Sequence, residues 1–193
     1  MKRLNRLIVA SVFFGGFATF ASRVNASTDT VHVDIHVSIT ATKSLAANTT
    51  SYNFGALPVS SAAVAGSSIT ITNDSAALIE SYSLQGGNAV AVGGGTNWTL
   101  ASGPAVDTYQ LDAQFGNARP ALADGGWTSD NLTSSVGPCS NDDTFGDNVS
   151  GESCYQVSPL ANVNARALWF RIKTPTAVTS PNEHIATVNI AVQ

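Results

Sequence analysis

Charge is scarce in this chain: only 11% of its 193 residues are Asp, Glu, Lys or Arg. The nine basic residues are outnumbered by thirteen acids. Four of the nine, Lys2, Arg3, Arg6 and Arg23, sit in the first 26 residues, whereas every acid lies beyond them. A surface so poor in cations repels phosphate backbones, which argues against nucleic acid as a partner. Cysteine occurs twice, at Cys139 and Cys154, without the C-x-x-C spacing or further ligands of a metal or redox pair. Recognisable catalytic signatures are missing too: there is no G-x-S-x-G elbow, no H-E-x-x-H, and no kinase or phosphate-loop pattern. With only His32, His36 and His184 to act as bases, none in a motif, the chain reads as non-catalytic.

One long apolar run exists, over residues 7–21, behind Lys2, Arg3 and Arg6 and ahead of the small residues up to Ala26. That order is a secretory leader, expected to be cut after Ala26. The run is shorter than the ~20 residues of a membrane span and contains Gly15 and Gly16. Ser27 in place of Cys closes the lipoprotein route. Residues 27–193 are therefore expected to form one secreted domain, periplasmic or at the cell surface, with no membrane span. In an oxidising compartment, Cys139 and Cys154 are expected to pair as a disulfide.

The rest of the chain alternates. Val31, Val33, Ile35, Val37 and Ile39 interleave with His32, Asp34, His36, Ser38 and Thr40, the period-2 pattern of a half-buried strand. Further strands are expected at 51–59 (irregular, with Gly55 and Pro58), 67–73, 78–85, 98–102, 107–115 and 127–134. Two long ones are expected at 166–175 and 184–193, joined by a hairpin-like turn at 180–183. No window carries apolar residues at helical spacing. Seven to nine short strands with turn signals between them predict an all-β antiparallel sandwich, immunoglobulin-like or jelly-roll.

Several groups are candidate sites. His32, Asp34 and His36 share a strand face, but the two histidines stand about 13 Å apart along the backbone. A zinc ion holds its ligands at about 2 Å, so the solvent side of an amphipathic strand is the better reading unless His184 joins. In the loop between the cysteines, Asp142, Asp143, Asp147 and Glu152 supply hard oxygen ligands for calcium. Phe145 stands where a calcium loop wants an oxygen. Glu80 and Asp112 are candidates for a glycosidase-like pair, with wet strand faces the plainer expectation. Trp98, Trp127 and Trp169, with Tyr82, Tyr109 and Tyr155, offer material for a glycan-stacking platform. Against it, Trp169 shares a face with Arg171 and Lys173, where cation-π packing suffices. Sequons stand at Asn48, Asn73, Asn97, Asn131 and Asn148.

The succession "YNFGALPV", "SSITITNDS" and "YSLQ" resembles the opening of exported bacterial sandwich families, the WxL surface domains and the spore-coat-U or pilin-like subunits. "NWTL" supplies one W-x-L; a second near the carboxyl end is missing, and the two cysteines fall late rather than early. The resemblance covers residues 50–100 and implies a surface or appendage subunit that works by self-association or adhesion. Its expected partners are itself or other envelope subunits, joined by strand addition through the alternating segment near the start. A glycan- or calcium-binding module is the alternative, and a hydrolase using surface carboxylates ranks below both.

Overall fold

In the computed structural model, which describes residues 42–140, 144–146 and 153–193, strands follow one another with almost no helix between them. They are β1 Leu45–Ala47, β2 Ala62–Val64, β3 Ile69–Asn73, β4 Tyr82–Gly86, β5 Val90–Ala91, β6 Thr99–Leu100, β7 Thr108–Phe115, β8 Gly137–Pro138, β9 Ala165–Lys173, β10 His184–Ile185 and β11 Val188–Val192. All lie in one compact unit, Thr40–Gln193. The expected strand at 30–40 lies outside the described residues.

The larger sheet runs β1–β3–β9–β7–β6, with β2 alongside β9 beyond the end of β3. The second is β11–β4–β8, and the short β5–β10 ladder continues the β4–β11 pairing past residues 87–89. These ladders are antiparallel except β6–β7, where Thr99 and Leu100 run parallel to Thr108 and Tyr109. The fold is all-β and sandwich-like. Alternation builds its core: Tyr109, Leu111, Ala113 and Phe115 of β7, with Ile71, Leu168 and Phe170, face Tyr82 and Leu84 of β4. Leu132, Val157, Phe145 and the disulfide fill one end of the same core.

Four expectations need correction. Residues 127–134 form no strand. Gly125–Thr128 is instead a 3-10 turn capped by the Asp124 carboxylate, which accepts from the Gly126 amide at 2.9 Å. Residues 51–59 also lack strand pairing, although Tyr52 and Phe54 still pack on the core and the Tyr52 hydroxyl accepts the Gly66 amide at 2.6 Å. The stretch 180–183 is no hairpin turn, because β9 and β10 belong to different sheets and the chain crosses between them. Among the described residues the strands number eleven, more than the seven to nine expected, because several ladders are only two residues long.

Cys139 and Cys154 are joined, with Cα atoms 5.8 Å apart and both sulfurs in the core. The ring of Phe145 is buried against Gly137, where a Cβ would stand 2.8 Å from that ring. Replacing both cysteines by alanine is expected to cost about 3 kcal/mol, from the loop entropy restored to the unfolded chain. Urea unfolding of the oxidised and double-alanine proteins measures it, and equal stabilities would show the bridge idle.

Burial pushes the phenols of Tyr82 and Tyr109 up to about 12. Unfolded phenols ionise near 10, so from there upward the unfolded chain sheds protons that the fold retains. Stability is therefore expected to fall as pH rises above about 10. Thermal melts at rising alkaline pH, compared with those of a Tyr82→Phe/Tyr109→Phe variant, would show a shallower decline in the variant.

Candidate functional site

The described part of the chain separates the sequence candidates sharply. His32, Asp34 and His36 lie outside the described residues, as do Asp142, Asp143, Asp147 and Glu152. Among the described residues no three His, Cys, Asp or Glu gather to hold a metal ion. No helix among them is long and apolar enough to cross a membrane.

Glu80 and Asp112 were expected on wet faces, and both are buried, at 1% and 0% exposure. The Glu80 backbone bridges Val157, and its Oε1 accepts the Ser44 amide at 2.9 Å. Asp112 faces away from the apolar core yet never meets water, because residues 119–131 fold over that side of β7. Arg171 Nε donates to Asp112 Oδ2 at 2.7 Å, and Gln110 Nε2 donates to Oδ1 at 2.8 Å. Gln110 also donates to Asn131 Oδ1, and Arg171 Nη1 to the Leu122 carbonyl at 3.2 Å. Burial pushes the Asp112 carboxyl up, against the opposing pull of Gln110 and Arg171. A carboxylate held this way, fully buried, clamps two strands and a loop.

The tryptophans do not make a platform. Trp127 is buried, with the Arg171 guanidinium 5.0 Å from its ring. The cation-π contact expected at Trp169 thus falls on Trp127, while Trp169 Nε1 donates to the Gly116 carbonyl. Trp98 is stacked on His184, ring centres 3.9 Å apart. Among the described sequon asparagines, Asn48 and Asn97 accept the amides of Thr70 and Ala91, and Asn73 is buried; Asn148 lies outside the described residues. A groove of about 290 Å³ beside β2 is lined by Ala62, Val64, Pro120 and Leu122. Its one charge, Arg119, is already bonded to the Val64 and Ala65 carbonyls.

One feature that alternation in the sequence could not disclose is the outer side of β11. The Gln193 amide donates to Ser81 O at 2.8 Å, which fixes the odd-numbered residues as those bonded to β4. On β4, Tyr82 donates to Cys154 O and accepts from Cys139 N, turned the other way. The N–H and C=O groups of Val188, Ile190 and Val192 consequently point outward, and among the described residues no strand pairs with that side. The same three side chains lie half-buried on the core, with Asn189 and Ala191 exposed between them. The Lys43 ammonium donates to the Gln193 carbonyl, so the chain passes the tip of this edge on its way to β1.

Comparison with known proteins leaves this geometry to speak for itself. No family model, curated protein or solved structure matches the chain.

The Asp112–Arg171 clamp can be weighed. Asp112→Ala strands a buried guanidinium and is expected to cost about 3–5 kcal/mol, whereas replacing the pair together by Leu and Met is expected to recover most of it. Denaturant unfolding of the three proteins decides. A single variant as stable as the parent would mean that the pair holds nothing.

Proposed function

We propose that this protein is a non-catalytic, extracytoplasmic surface or appendage subunit that assembles by strand addition. The observation that carries the reading is the open side of β11, a row of outward main-chain donors and acceptors above half-covered apolar side chains. An edge of that kind is a template for another strand, with main-chain bonds giving affinity and alternate side chains giving register. The donor is the alternating segment 31–39 of another copy, whose Val33, Ile35 and Val37 suit the apolar surface beside Val188, Ile190 and Val192. The leader-like first 26 residues, the buried disulfide and the resemblance of residues 50–100 to WxL, spore-coat-U and pilin-like subunits support the same class. The two carboxylates considered for hydrolysis support it from the other side, being structural in their surroundings.

Two changes test the mode separately. Deleting residues 27–40 removes the donor. Ile190→Pro removes an outward N–H while sparing the bonds to β4, a position where an edge strand tolerates proline. Light scattering is expected to show oligomers of the parent and monomers of each variant. An oligomer distribution untouched by both changes would rule strand addition out.

A further inference from the structure

At the β10 end of the second sheet, the turn 179–184 is fastened onto the glycine-rich loop 92–97. The Val92 amide donates to Glu183 O at 2.8 Å, and Asn182 Nδ2 donates to the Gly94 carbonyl. Gly95, at φ 120°, leaves so little room that a Cβ would stand 2.5 Å from Ser180 Oγ. Burial does little of this fastening: the β5–β10 ladder has two residue pairs, and Val90 and Ile185, opposite each other, are 57% and 59% exposed.

His184 closes the joint. Its Nδ1 lies 2.8 Å from the Asn182 carbonyl and its Nε2 2.9 Å from the Thr96 carbonyl, while the ring stacks on Trp98 at an interplanar angle of 16°. A carbonyl oxygen has no hydrogen to give, so each of these bonds needs an N–H on the ring. Neutral imidazole carries one N–H; imidazolium carries two. We propose that His184 is a proton-operated latch: the imidazolium donates at Nε2 to Thr96 in loop 92–97 while Nδ1 braces the ring on Asn182 of its own turn, and loss of a proton leaves one N–H to serve both carbonyls, so the tie to the loop weakens.

The charged groups around the ring are few. Loop 92–97 and β6 carry none, the turn contributes Glu183, and the segment before β7 contributes Asp107. The hydroxyl and amide of Thr179 hold the Asp107 carboxyl below its usual range, and the His184 charge adds to the effect. An anion therefore sits in the field of the ring.

Amide hydrogen exchange of residues 92–97, corrected for intrinsic rates, at pH 5.5 and pH 8 reads the latch. Loss of one hydrogen bond is expected to lower protection about three- to tenfold at pH 8, with amides of the β7–β9 ladder unmoved. His184→Gln, lacking the second donor direction, is expected to show the low protection at both pH values. Equal protection of the parent loop at the two pH values overturns the proposal, as does a glutamine variant that keeps the parent's pH response.

Discussion

The pairing of β7 with β9 is enclosed on both faces, and the remaining strands take their places from it. Its inner face is the apolar core; its outer face carries Asp112 directly opposite Arg171, under Trp127. Antiparallel sheets usually leave such a face to water, and burying an ion pair there gains little net energy over an apolar pair. What the pair supplies is register. A slip of one residue would place Asp112 against Phe170 or Ile172 and turn every β7 side chain to the wrong face. With that register set, β9 presents its far edge to β2 and β3, and β7 presents its own to β6.

The second sheet is made differently. Its middle strand, β4, is paired on both sides and buried, held to β8 near the disulfide. β11 is held to β4 through five residue pairs but has its apolar side only half covered. Burial therefore concentrates in the larger sheet and around the disulfide, and among the described residues β11 is the longest strand paired on one side only. The Proposed function rests on this asymmetry, since an edge can accept a strand without disturbing the core that supports it.

β7, β9 and β11 were legible because each has an unbroken period of two and the right length. The disulfide was legible because only two cysteines exist and no spacing or further ligand suggested another use for them. Asp112 and Glu80 misled for one reason: alternation says which side chains share a face, never what comes to cover it. The covering segment, residues 119–131, reads as strand-like around Trp127, but Asp124 and two glycines turn it into a 3-10 cap. Likewise, the hairpin expected at 180–183 failed because nothing in two adjacent strand patterns tells whether they join one sheet or two. The open side of β11 depends on which strands are neighbours, a property of the fold alone.

β10 and β11 are one line of chain, separated only by Ala186 and Thr187. A strand that is to receive another must stay extended, because fraying at either end shortens the template. At the carboxyl end, the Lys43 ammonium and the Gln193–Ser81 bond hold the line down. The other end has exposed Val90 and Ile185 and so depends on the polar joint around His184. The glycines at 93–95 allow that joint to form by bringing a bare backbone within reach of Ser180, Asn182 and the imidazole. The proposed latch at His184 therefore acts at the end of this line where the ladder buries Ala91 but leaves Val90 and Ile185 exposed.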